Sequence, residues 1–209
     1  MSKGLEMIIG IVDYDAGNLT SVETALKHIG AEYIVGKFPE ELKDVDKLIF
    51  PGVGEASSAM KTLSERGLDE YIGNFAKSGK PLLAICIGSQ ILLDRSEEGD
   101  AKCLGIIPGT VKLFPETIQQ KIPHMGWNSV KVEKEHPLFS GVPDDSSFYF
   151  VHSYYTNPDS SANILCTTEY GMKFTSAMVK DNITATQFHP EKSGPYGLKI
   201  LENFMNYKG

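Results

Sequence analysis

The sequence predicts an α/β fold in three layers: a parallel or mixed central sheet flanked by helices, with a β-rich C-terminal half. Three observations carry this expectation. Short apolar runs alternate with helical periodicity through the first hundred residues, short strand-like segments separated by turn signals follow, and 209 residues with 41% hydrophobic content are enough to bury a substantial core. No stretch has the composition of a flexible linker, so residues 1–209 are read as a single domain.

The elements follow in chain order. MIIGIVDY (7–14) is a short apolar run, and Leu19, Val22, Leu26 and Ile29 then recur at helical spacing until Gly30. KLIF (47–50) is the next strand. EASSAMKTLSERG and LDEYIGNFAKSG read as helices closed by Gly67 and Gly79, and PLLAIC (81–86) is a continuous apolar strand of the kind buried on both faces of a parallel sheet. Beyond about residue 100, TVKLF, SVKVE, SFYFVHSYY, NILCTT, FTSAMV and ITATQF read as strands, with Asp181-Asn182 as a hairpin turn between the last two. A final helix is expected over 196–207, with Leu198, Leu201, Phe204 and Met205 on its core side.

Composition removes several function classes. A net charge of −7 without clustered Lys and Arg argues against a nucleic-acid partner. No apolar run reaches the roughly eighteen residues of a membrane helix, and the N-terminus lacks a signal-peptide pattern, so a cytoplasmic protein is expected. Cys86, Cys103 and Cys166 show neither disulfide nor CxxC spacing, and His124, His136 and His152 lack ligand spacing, so no metal or other cofactor is expected. Cys103 and Cys166 are read as packing residues.

Cys86 stands apart because it lies between an apolar strand and Ile-Gly-Ser-Gln. A nucleophile at a strand-turn-helix elbow sits on a strained bend, with small residues two places to either side, here Ala84 and Gly88. The helix expected to start after it aims unpaired N–H groups at the sulfur, which favours thiolate. A free cysteine is more often a small buried hydrophobe, and the elbow pattern alone leaves both readings open. TQFHPEKSG (186–194) adds the missing chemistry. On an extended segment His189 and Glu191 share a side with Pro190 turned away, giving the base and the orienting carboxylate that thiol acyl transfer requires. In FPGVGEASS, Gly52 and Gly54 allow backbone N–H groups to turn toward a neighbouring strand end and bind an oxyanion, although a plain glycine turn has the same composition.

Together these residues resemble the triad glutaminases of the class I amidotransferases, and within them the glutaminase subunits of imidazole glycerol phosphate synthases. The likeness spans essentially the whole chain: VDYDAGNLTSV is similar to DYGxGNLxSV, PGVG to the oxyanion loop, AICIGSQ to the GICLGMQ elbow, KIPHMGWN to PHMGWN, FYFVHSYY to FVHSYY, and TQFHPEKSG to FHPEKS. The resemblance implies Cys86 as nucleophile toward the glutamine carboxamide, His189 as acid and base, and Glu191 as its orienter. It implies oxyanion donors at Val53, Gly54 and Ile87, and a glutamine pocket at Gly52, Gln90 and the backbone of Ser153 and Tyr154. It further implies a heterodimer with a (βα)8-barrel cyclase subunit, which receives the ammonia and makes imidazole glycerol phosphate and aminoimidazole carboxamide ribonucleotide in histidine biosynthesis. Met125, Trp127, Asn128, Tyr149 and Lys192 are the expected interface residues, and partner and nucleotide are expected to activate a poorly active isolated chain. Three departures stand out: Ala84 for the elbow glycine, Ser89 for its methionine, and Asp15 for the glycine of DYGxGN.

Other readings keep the same residues. A paralogous glutaminase would supply ammonia to a different amidotransferase, for example in modified-sugar biosynthesis. An interaction subunit without turnover has no need of Cys86, His189 and Glu191 together, and a cysteine peptidase has no use for PHMGWN and FVHSYY.

Overall fold

The computed structural model describes residues 7–15 and 19–208. Ala16, Gly17 and Asn18 of the segment similar to DYGxGNLxSV therefore lie outside the described residues.

The first half alternates as expected, with one further strand, β2, that the sequence reading did not contain: β1 (Ile9–Val12), α1 (Leu19–His28), β2 (Tyr33–Gly36), β3 (Lys47–Gly52), α2 (Ala56–Glu65), α3 (Leu68–Lys77) and β4 (Leu82–Cys86). A short α4 (Ile87–Gln90) follows, then β5 (Arg95–Ser96), β6 (Ala101–Lys102), β7 (Gly109–Leu113), β8 (His124–Ser129), β9 (Lys131–Val132), β10 (Ser147–His152), β11 (Tyr154–Pro158), β12 (Ile164–Glu169), β13 (Lys173–Lys180), β14 (Ile183–Thr186) and α5 (Gly194–Asn206). Among the described residues twelve strands form one sheet, whose main path runs β2-β1-β3-β4-β14-β13-β11-β7-β5-β6, while β8 and β10 pair separately. From β2 to β14 the pairing is parallel, and from β14 to β13, β11 and β7 it is antiparallel. The expected hairpin joins β13 to β14, with Lys180 opposite Ile183 and Asp181 at φ 50°.

Two buried clusters line the two faces of the sheet, as a three-layer fold requires. One gathers Leu63, Leu68, Ile72 and Phe75 from α2 and α3 against Leu48, Phe50, Leu82 and Ala84. The other gathers Val22 and Leu26 of α1 and Ile200, Leu201 and Phe204 of α5 against Ile49, Leu83, Phe148 and Phe150.

Two expected strands are broken. SVKVE is split between β8, which ends at Ser129, and the two-residue β9, while the apolar run SFYFVHSYY divides at Ser153. Its first part, β10, leaves the main sheet to pair with β8, and its second, β11, joins β7 and β13. The residue types do not mark this break, because apolar and aromatic residues continue on both sides of Ser153, while the buried positions change phase there and the hydrogen-bonding partners change. The rest of β8, His124 to Asn128 in the KIPHMGWN segment, lies outside the strands expected from the sequence.

Lys47 anchors the end of the chain. Its side chain is buried, and Nζ donates to the carbonyls of Phe204 (2.8 Å), Met205 (2.6 Å) and Tyr207, the orphan acceptors at the end of α5. Lys47→Met should lower the unfolding free energy by about 2 kcal/mol, because a charge-assisted cap is lost and buried carbonyls are left without a donor. Urea denaturation should show this as a lower midpoint with an unchanged slope; an unchanged midpoint would contradict it.

Candidate active site

The site begins at the adjacent C-terminal ends of β3 and β4, where Gly52 stands beside Cys86 in the parallel register. Cys86 is buried at φ 55°, ψ −112°, a conformation that a residue with a side chain adopts only at a cost of roughly 1–3 kcal/mol. The turn demands it because α4 packs directly on β3: a Cβ on Gly88 would lie 2.0 Å from the Phe50 carbonyl oxygen. Ser89 helps close the bend, since its hydroxyl donates to the Cys86 carbonyl at 2.7 Å. The sequence suggested a helix that would bias the sulfur electrostatically, but α4 is only four residues long, too few for an appreciable macrodipole. The elbow is held by backbone packing instead.

β14 lies parallel to β4 on the side away from β3, with Ala185 opposite Ala84, and so delivers the following segment to the cysteine. His189 is fully buried, and its Nδ1 lies 2.7 Å from Glu191 Oε1, a carboxylate whose side chain is equally buried. The pairing is made differently from the extended segment expected. Pro190–Lys192 forms a 3-10 turn, and that turn rather than strand alternation folds the carboxylate under the ring. Burial works against a charged His189, but the Cys86 charge and hydrogen bonds to Cys86 and Glu191 outweigh it and raise the imidazole to about 10. His189 therefore holds its proton at neutral pH, in position to give it up toward the sulfur side.

A cavity of ≈ 260 Å³ opens in front of Cys86. Val53, Gly54, Ile87, Gln90, Ser153 and Tyr154, each expected at the site, all border it, as do Glu98, Pro123, Val151 and His152. Gly54 has φ 99°, a backbone state that favours glycine. Gly52, expected in the glutamine pocket, does not border the cavity but supports the loop from behind, since a Cβ there would meet the Tyr14 hydroxyl at 2.1 Å. The strand break at Ser153 brings the peptides of Ser153 and Tyr154 to the rim.

Beneath the cavity runs a chain of amides and imidazoles. Gln90 Nε2 donates to the Tyr154 carbonyl (2.9 Å) and to Gln187 Oε1 (3.0 Å), and Gln187 Nε2 lies 3.8 Å from Cys86 Sγ. His152 Nδ1 meets the same Tyr154 carbonyl at 2.7 Å, His152 Nε2 meets His124 Nδ1 at 3.0 Å, and His124 Nε2 meets Asn128 Nδ2 at 3.2 Å. Because a carbonyl only accepts and an amide nitrogen only donates, the chain places the ring protons of both neutral histidines on Nδ1. Burial pulls His124 down to about 4; burial, opposed by the bond to Tyr154 and reinforced by His124 and His189, pulls His152 down to about 3.

Gln187 and Glu98 escaped the sequence reading. Gln187 stands in the quoted TQFHPE run, two residues before His189, and could have been found by asking which neighbour reaches the sulfur. Glu98 carried no signal, being one of several acids in SEEGD; burial raises its pKa, while its carboxylate accepts the Ala56 N–H at 2.8 Å. Cys103 and Cys166 are buried, with burial raising both thiols, Cys103 to about 11.

The expected interface residues divide. Met125 and Trp127 are 63% and 59% exposed, so the lone tryptophan is not a core residue. Trp127 sits opposite Tyr149 across β8 and β10 with ring centroids 6.3 Å apart, and Lys192 Nζ stands 6.0 Å above the Tyr149 ring. Asn128 alternates to the other side of β8, where its amide serves His124 and the Glu169 carbonyl (2.9 Å).

A family model described as glutamine amidotransferase class-I matches residues 10–207. The chain belongs to that family. It is 48% identical, over 94% of its length and 96% of the relative's, to an imidazole glycerol phosphate synthase subunit HisH of Dehalococcoides mccartyi. A HisH subunit of Desulfovibrio desulfuricans is 47% identical over 96% of this chain and 94% of its own length. Among solved structures, the PurLQS structure from Thermotoga maritima matches with a TM-score of 0.75, covering 97% of this chain and 99% of that chain at 18% identity, a likeness of fold.

The departures from the family pattern have local accounts. Ala84 packs its methyl into the cluster containing Phe50 and Ile87, and Ser89 bonds the elbow carbonyl. Asp15 takes φ 63° and is held by Lys37 (2.6 Å) and Arg66.

The neutral histidine pair has a pH signature. Its folded values lie below the ordinary 6.5, so the unfolded chain takes up protons that the folded chain refuses. The pair's contribution to stability is complete above about pH 6.5 and is lost as the pH drops toward 4 and then 3. Between pH 6.5 and 5, His152 alone should remove about 2 kcal/mol. Urea unfolding at the two pH values should show the loss, and His152→Gln should reduce it; equal pH dependence in both proteins would contradict the assignment.

Proposed function

We propose that this chain hydrolyses glutamine to glutamate and ammonia and passes the ammonia to a (βα)8-barrel cyclase partner, as the glutaminase subunit of an imidazole glycerol phosphate synthase. The observation that carries the reading is the line Cys86–His189–Glu191 beside the cavity, in a chain 48% identical to a HisH subunit over nearly its whole length.

In this reading glutamine places its carboxamide over Cys86, with Gln90 and the backbone of Ser153 and Tyr154 holding the rest of the molecule. The sulfur forms a bond to the carboxamide carbon while Val53, Gly54 and Ile87 peptides hold the oxyanion. His189 gives its proton to the leaving nitrogen as the C–N bond breaks, and ammonia departs from a glutamyl thioester. The now neutral His189 accepts a proton from water, the oxygen bonds to the thioester carbon, and the C–S bond breaks to return thiolate and imidazolium. Glu191 stays ionised and keeps the ring oriented. Met125, Trp127, Tyr149 and Lys192 offer the partner an exposed aromatic and cationic face.

Glutamate release should be low for the chain alone and rise strongly with a cyclase subunit and its ribonucleotide. Cys86→Ala should lower turnover roughly 10⁴-fold or more. Turnover that survives Cys86→Ala refutes the nucleophile, and turnover indifferent to the cyclase and nucleotide refutes the pathway. Trp127→Ala should weaken association by about 2 kcal/mol, roughly thirtyfold in Kd, as measured by titration calorimetry; an unchanged Kd would remove Trp127 from the interface.

A further inference from the structure

Tyr14 follows β1 and reaches across the end of β3 into the core, its ring tilted on Phe50 at 5.7 Å between centroids. It is 3% exposed, and its hydroxyl has no hydrogen-bond partner among the described residues. A buried O–H without an acceptor is uncommon, because it gives up its bonds to water and receives nothing in return. Its position is informative. The Cβ direction of Gly52 points at this oxygen from 2.1 Å and, on the same side, at the Gly88 nitrogen from 2.9 Å and Ile87 Cβ from 3.1 Å. Tyr14 thus stands behind both halves of the proposed oxyanion hole, the Gly52–Val53 peptide and the first turn of α4, and does not border the cavity in front of them.

Peptide geometry then indicates what the hydroxyl is for. In a trans peptide the N–H and C=O point in opposite directions. When Val53 N–H turns toward the cavity to meet an oxyanion, the Gly52 carbonyl turns away from it, toward the core, where that acceptor needs a donor. We propose that Tyr14 is a positioning residue for oxyanion binding: its O–H donates to the Gly52 carbonyl in that orientation and holds the Val53 N–H on the developing charge. Burial, followed by the Cys86 charge, keeps the phenol well above its ordinary range, so it remains a donor throughout the working pH. The inference rests on the glutaminase reading and deepens it.

Tyr14→Phe tests the hydroxyl alone. In the chain assembled with its cyclase partner and ribonucleotide, kcat for glutamine hydrolysis should fall roughly tenfold or more, with KM for glutamine within about twofold. The Tm should stay the same or rise, because the variant loses a buried polar group that has no partner among the described residues. Alkylation of Cys86 by iodoacetamide, which needs no oxyanion donor, should keep its rate. A kcat within twofold of wild type overturns the inference, as does a fall in kcat accompanied by a lower Tm and slower alkylation, which would make Tyr14 a packing wedge. A wild-type complex that releases no glutamate overturns the glutaminase reading and this inference together; wild-type turnover with an unaffected Tyr14→Phe overturns the inference alone.

Discussion

The parallel register that sets Gly52 beside Cys86 is the constraint from which the site follows. Two strands ending side by side leave two loops competing for one small volume, and here the loops touch through backbone. The Phe50 carbonyl occupies the place of a Gly88 side chain and the Tyr14 hydroxyl the place of a Gly52 side chain. With no side chain on Gly52 or Gly88, the two loops pack closely at the strand ends. The same crowding forces Cys86 to positive φ and lifts its side chain off the sheet.

The second dependence is on β14. Antiparallel to β13 yet parallel to β4, it is where the antiparallel half of the sheet joins the parallel half, and it ends three residues before His189. Two buried histidines then take opposite charge states from their neighbours. His189 meets a thiol and a carboxylate and holds its proton; His152 meets a carbonyl and another imidazole and stays neutral. Gln90 and Gln187 lie between these regions as neutral amides that carry the hydrogen-bond chain without adding charge. The Cys86–His189–Glu191 line thus sits in a neutral polar surrounding that adds no further charge to it.

What was legible in the sequence was whatever local spacing encodes. The apolar runs at 7–14, 47–50 and 81–86 had to be buried strands, and the glycines after them had to end helices or open loops. The meeting of Cys86, His189 and Glu191 was legible because few folding requirements demand a thiol, an imidazole and a carboxylate in such contexts. The remainder depends on which segments become neighbours. SFYFVHSYY is apolar through most of its length, yet Ser153 is where the chain changes sheets, a choice made by β8 and β7 rather than by the run itself. Gln187 and Tyr14 looked like ordinary strand-end residues until the register placed them beside Cys86 and Gly52. His189 and Glu191 meet as the spacing suggested but on a different backbone, since a 3-10 turn closes the pair that alternation was expected to close.

That strand break also joins the exposed face to the chemistry. β10 leaves the main sheet to pair with β8, presenting Trp127 and Tyr149 outward, while its own backbone remains in the site. The Tyr149 carbonyl accepts the His189 N–H at 3.0 Å, the Tyr149 N–H donates to Ser193 Oγ at 3.0 Å, and that hydroxyl donates to the His189 carbonyl at 2.6 Å. Both backbone groups of His189 are therefore held, directly or through one hydroxyl, by the residue whose ring forms part of the exposed patch. On the proposed assignment, a partner covering Trp127 and Tyr149 rests one backbone hydrogen bond from the catalytic imidazole. A movement of β10 would then move His189 or break that bond, so on this assignment docking and catalysis would share one mechanical element.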